Sequence, residues 1–146
     1  MQSTLDDFKA TLDRAEEHLG KIAEADSNQA LSAGKWSRKQ VLGHLIDSAA
    51  NNHQRFIRAQ LSRELVFPGY EQECWVSTQH YQEESWSLLV ALWRHYNRHL
   101  LHVMSHVPAD KLGCRCVIGG SEPVTLEFLM QDYLVHLKHH LRQILE

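Results

Sequence analysis

The stretch from Thr125 to Leu145, TLEFLMQDYLVHLKHHLRQIL, constrains the fold most. Its apolar residues Leu126, Leu129, Met130, Tyr133, Leu137, Leu141 and Ile144 recur at helical spacing. At about 100° per residue they share one arc of a helix. His136 and His140 fall inside that arc, one turn apart, while His139 points away from it. An imidazole on a buried face needs partners for its polar nitrogens. Two at i and i+4 are satisfied economically by one metal ion. The competing reading is a pair of core histidines with ordinary hydrogen-bond partners.

Three more stretches carry the same period. Residues 4–24 place Leu5, Phe8, Leu12, Ala15, Leu19 and Ile22 on one side, behind a capping-box-like Ser3 and Asp6. A polar linker, 26–35, follows. A second helix is predicted over 38–62. Ser37 and Gln40 fit the S-x-x-Q box, and Trp36 and Val41 fit the flanking hydrophobic staple, so Trp36 has a structural role that competes with one in a site. Gly43 costs that helix about 1 kcal/mol relative to Ala. It either admits a close neighbour beside His44 or is incidental. A third helix spans 85–106, with Trp86, Leu89, Trp93, Leu100 and Met104 inward, and Pro108 ends it. Pro68, Pro108 and Pro123 all fall in predicted connections, the longest of which, 63–84, carries Trp75 and Tyr81 and is expected to fold back onto the body. Four amphipathic helices in 146 residues predict a single all-α domain, 1–146, built as a four-helix bundle.

Composition removes several functions. A net charge of −3 without a basic stripe argues against nucleic acid. No apolar run approaches the roughly 18 residues that span a bilayer. The first residues lack the apolar core of a signal peptide, so a cytoplasmic protein is expected. Cys114 and Cys116 form neither a CxxC redox pair nor half a zinc finger, and read as reduced thiols. There is no HExxH, no Glu-x-x-His, no GxSxG and no Walker loop. A metal in this bundle would be held mostly by imidazoles.

The chain has 11 histidines, and position sorts them. His95, His99, His102 and His106 form one stripe opposite Trp93 and Met104, expected to be a solvated face or a subunit interface. His44 sits about 9 Å into the second helix, and His140 and His136 about 8 and 14 Å from the end of the fourth. If those two helices are antiparallel, the three imidazoles meet at one level. An up-down-down-up topology makes them antiparallel, and the long connection between helices two and three has ample reach to cross the bundle. His53, over two turns further on, misses the cluster. Asp47 and Gln143 are candidates to orient a ligand. By periodicity Asp47 falls on the outer face, where it reads as a solvated carboxylate.

Three patterns, KWSRKQVLGHLIDS at 35–48, ECWVSTQHY at 73–81 and VTLEFLMQDYLVHLKHHLRQI at 124–144, make the chain similar to the DinB/YfiT-like superfamily of small helical metalloproteins. The resemblance implies an up-down-down-up bundle, often a homodimer. It implies a divalent metal, commonly zinc or nickel, on three histidines, which by position are His44, His136 and His140. It further implies transfer of a low-molecular-weight thiol to an electrophile, or hydrolysis of a small molecule. The alternative is a non-catalytic dimeric bundle with a structural or storage metal, tied to a stress response.

Overall fold

The computed structural model describes residues 1–146. Helices α1 (Gln2–Leu19), α2 (Glu24–Ser27) and α3 (Arg38–Leu61) are followed by strand β1 (Glu64–Phe67) and helix α4 (Gln72–Thr78). Then come α5 (Trp86–Ser105), strands β2 (Arg115–Ile118) and β3 (Val124–Thr125), and α6 (Leu126–Leu145). The four long helices, α1, α3, α5 and α6, are the four that the periodicity predicts. They enclose one core of 28 buried apolar residues, with Phe8, Phe56, Trp93 and Met130 among the largest fully buried.

Local chemistry sets the helix starts. At α3, the Ser37 hydroxyl accepts from Gln40 N at 3.2 Å and Gln40 Oε1 accepts from Ser37 N at 2.9 Å, completing the predicted capping box. Thr125 Oγ1 caps α6 by accepting from Phe128 N at 3.1 Å. Such caps each contribute about 1 kcal/mol. The first helix departs from expectation at both ends. It has no side-chain cap, and Asp6 accepts instead from Gln2 Nε2 at 2.8 Å. It stops at Leu19, and residues beyond Gly20 turn into the single-turn α2, whose Glu24 pairs with the buried Lys39 of α3 and accepts from Trp86 N.

Side-chain contacts orient the long helices in pairs. Arg38 at the start of α3 donates to the Ile144 carbonyl at the end of α6 at 2.9 Å, so these two run antiparallel. Arg98 of α5 pairs with Asp13 and Glu16 of α1, while Trp86 Nε1, at the other end of α5, reaches the Leu19 carbonyl at 3.0 Å, another antiparallel pair. Asp7 of α1 pairs with Lys138 of α6, and Met1 with Glu127, which makes that pair parallel.

The structure is not all helix. β1 pairs parallel with β2, and β2 antiparallel with β3, in a small sheet at one end of the bundle. Strands of two to four residues are too short for a period-2 signal to emerge. Their pairing joins residues far apart in sequence, as in Glu64 opposite Arg115. Gly119 and Gly120, at φ +60° and +75°, make the turn after β2.

The crossover between α3 and α5 positions the site. α4 and a 3-10 turn at Tyr81–Glu83 pack onto α3. The Tyr81 ring lies against Gly43, where a Cβ would fall inside the space its ring atoms occupy. The glycine admits a close neighbour.

Candidate metal centre

His44 projects from the second turn of α3 and is completely buried. From the antiparallel α6, His136 and His140 project toward it, one turn apart and half-buried. His44 Nε2 and His136 Nε2 are 3.0 Å apart. The His44 and His140 ring centres are 4.7 Å apart, and a ligand nitrogen from each of the three lies within 4.8 Å of the others. Helix-start and helix-end levels thus bring together the trio that the sequence singles out.

Hydrogen bonding fixes where one lone pair points. The Gln143 side-chain oxygen, 2.8 Å from His140 Nδ1, can only accept, so Nδ1 carries the proton and Nε2 is bare. Ser48 Oγ lies 3.5 Å from His136 Nδ1. His44 Nδ1 is buried with no partner. Burial, then the neighbouring imidazoles, hold the His44 pKa down to about 3; burial and the flanking His140 and His139 hold His136 down to about 4. Burial also lowers His140, against an opposing pull from Gln143. The rings are therefore neutral at neutral pH, the state in which imidazole donates a lone pair. Two nitrogens bound to one ion at about 2.0–2.1 Å lie roughly 3 to 3.4 Å apart, and the His44–His136 separation fits that. The donor set suits a borderline cation such as zinc or nickel.

Trp36 precedes the cap of α3, and its ring centre is 5.4 Å from that of His44. Beyond it opens a cleft of about 690 Å³, whose walls include Trp36, Gln40, Glu73, His140 and Gln143. His53 stands apart, 3.3 Å from the Tyr96 hydroxyl and stacked edge-on with His99. His95, His99, His102 and His106 are exposed on α5. Cys74, Cys114 and Cys116 are free thiols, and burial raises Cys116 to about 11.

Asp47 corrects the sequence reading. It is 2 % exposed, and its Oδ1 accepts from the Tyr81 hydroxyl at 2.7 Å and from Gln79 Nε2 at 2.6 Å. Burial raises its pKa, against the pull of those two donors. Its helix face points away from the bundle core, but the crossover covers it. The signal available in the sequence was the pairing of Gly43 with the aromatic-rich ECWVSTQHY stretch.

Comparison with known proteins places the chain. The DinB superfamily model matches residues 7–144. The chain belongs to the DinB superfamily. This DinB chain matches the solved structure of YfiT from Bacillus subtilis, described as a probable metal-dependent hydrolase with an unusual four-helix bundle topology. The TM-score is 0.85 at 18 % identity, over 98 % of this chain and 82 % of YfiT. It also matches a mycothiol-dependent maleylpyruvate isomerase, with a TM-score of 0.81 at 12 % identity, over 98 % of this chain and 60 % of the isomerase. These likenesses are of fold. No curated protein matches the chain.

Proposed function

We propose that this DinB protein is a metal-dependent enzyme in which His44, His136 and His140 hold one divalent cation, zinc or nickel, in an up-down-down-up bundle that works as a homodimer. The observation that carries this reading is the convergence of three neutral imidazoles from two antiparallel helices, with the His140 lone pair freed by Gln143. The pairwise helix directions support the bundle order.

Such an ion supplies Lewis-acid activation of a thiol or a water. The residues of the chain do the rest. Gln143 holds the His140 ring in one tautomer, and the Trp36 ring packs beside that of His44. Three protein donors leave coordination positions for a reactant, and the adjoining cleft gives it a path. The reaction is transfer of a low-molecular-weight thiol to an electrophilic small molecule, a reading supported by the likeness to the mycothiol-dependent isomerase. Hydrolysis, supported by the likeness to YfiT, is the second reading.

Metal analysis of the purified protein tests the site. One ion per chain is expected, lost in His44→Ala and His136→Ala and kept in His99→Ala. Loss with His99→Ala and retention with His136→Ala would move the site to the α5 stripe. A panel of thiols and model electrophiles, with and without metal, tests the reaction, and no rate above background would refute catalysis.

A further inference from the structure

His102 and His106 face each other on the outside of α5, one turn apart at its C-terminal end, and both are exposed. Their ring centres are 4.3 Å apart, closer than any two rings of the buried trio, which stand at 4.6, 4.7 and 5.0 Å. Hydrogen bonding fixes the tautomer of His106. Its Nδ1 lies 2.8 Å from the His102 carbonyl oxygen, which can only accept, so Nδ1 carries the proton and Nε2 is bare. The Ser105 hydroxyl donates to that same carbonyl at 2.7 Å, so its oxygen, 3.0 Å from Nδ1, accepts as well. A carbonyl on one ring nitrogen and a free lone pair on the other is how metal-binding histidines are held. It repeats at the surface what Gln143 does for His140.

The neighbouring histidines are arranged differently. The His99 ring centre is 6.3 Å from that of His102, and the two planes are stacked at 22° rather than converging on one point. His53 of α3 meets His99 edge-on at 5.2 Å, but its Nδ1 faces the Tyr96 hydroxyl, which can donate or accept, so its lone pair is not fixed. Charge favours the His102–His106 end. The last turn of a helix attracts a cation, and the sequence from His99 to Asp110 has no lysine or arginine to repel one.

We propose that His102 and His106 chelate a second divalent transition-metal ion on the surface of α5, through Nε2 of His106 and one nitrogen of His102, with water completing its coordination. Two imidazoles select nickel, copper or zinc over magnesium or calcium, which take oxygen donors. With two exposed protein donors the ion exchanges with solvent, whereas one held by His44, His136 and His140 is enclosed by the bundle. The site asks nothing of the buried trio and stands whether or not that trio holds a metal.

Calorimetric titration of the untagged full chain with nickel tests the assignment. One ion per chain is expected to bind reversibly, beyond any that stays through desalting, and excess magnesium is expected not to displace it. Removing a hydrogen-bond partner of a metal ligand already costs about 10–100-fold in affinity, so His102→Ala and His106→Ala, which remove a ligand itself, are each expected to weaken this ion at least about tenfold. His95→Ala and His99→Ala are expected to leave it in place. All four side chains are exposed, so the variants are expected to fold. No reversible ion in wild type, or an affinity unchanged in His102→Ala or in His106→Ala, overturns the proposal. An equal loss in His95→Ala overturns it too, by showing diffuse chelation along the whole stripe, as does one ion per two chains, which would assign the metal to a bridge between copies. His136→Ala separates this site from the proposed function. Nickel uptake that depends on His136 belongs to the buried centre, and uptake that depends on His106 belongs to α5, whichever way the first comes out.

Discussion

Substituting Gly43 by alanine sets helix propensity against packing, and the structure decides the sign. In an exposed helix interior the change stabilises by about 1 kcal/mol. Here the new methyl would collide with the Tyr81 ring atoms Cδ2, Cγ and Cε2. A ring yields less readily than the tip of a flexible chain, and Tyr81 is pinned by its hydroxyl to Asp47 and Gln79. Overpacking costs about 1–3 kcal/mol, and this contact belongs at the upper end. If the ring moves away instead, a hydrogen bond to a buried carboxylate is lost, at about 1.5–3 kcal/mol. Set against the propensity gain, the collision leaves Gly43→Ala destabilised by a net of about 2 kcal/mol and the displaced ring by about 0.5–2 kcal/mol, the former roughly 4–8 °C in Tm for a domain of this size. Urea unfolding of Gly43→Ala, Tyr81→Ala and the double variant measures it. In the Tyr81→Ala background the methyl meets no ring, so the same change is expected to stabilise by about 1 kcal/mol, a coupling of about 3. A neutral or stabilising Gly43→Ala in the otherwise native protein refutes this reasoning, as does an equal cost in both backgrounds.

Other outcomes follow from the same contacts. Asp47→Asn keeps an oxygen for Tyr81 and Gln79 and is expected to cost under about 1 kcal/mol. Asp47→Ala strands both donors and is expected to cost about 2–3 kcal/mol, read by denaturant midpoint. Tyr133→Phe removes the donor 2.6 Å from the buried Asn97 oxygen and is expected to cost about 1–3 kcal/mol. In metal-stripped protein, His44 stays neutral in the fold down to about pH 3, whereas an unfolded histidine takes up a proton near 6.5. Its contribution to stability is therefore present above pH 6.5 and lost as pH falls from there toward about 3, at up to about 1.4 kcal/mol per pH unit, measurable as a falling Tm. Chelation is expected to lower Tm, by the equivalent of about 2.7 kcal/mol if the free ion had been at a hundred times its Kd.

The helices and the histidine trio were legible because both rest on local periodicity and axial rise. Ser37 and Gln40 announce where α3 begins, and counting on from that start and back from the end of α6 aligns His44 with His136 and His140 once the two helices are taken as antiparallel. Asp47, the small sheet and the docking of Tyr81 were not legible, because each depends on what another segment covers. Periodicity assigns Asp47 to an outer face without knowing that Gln79 and Tyr81 will close over it. Strands as short as β3 become stable only through partners brought in from elsewhere in the chain.

The segment from Pro68 to Thr78 is anchored on both sides. β1 ties down its beginning through β2, and Gln79, Tyr81 and Gln82 fasten its end to Asp47 and Ser37. Between those anchors it roofs the polar side of α3 without contributing a bundle helix. Length and residue changes between the anchors, at positions other than the buried Val76, would reshape what enters while leaving the histidines and the core in place. That gives the scaffold a route to new specificities at little structural risk.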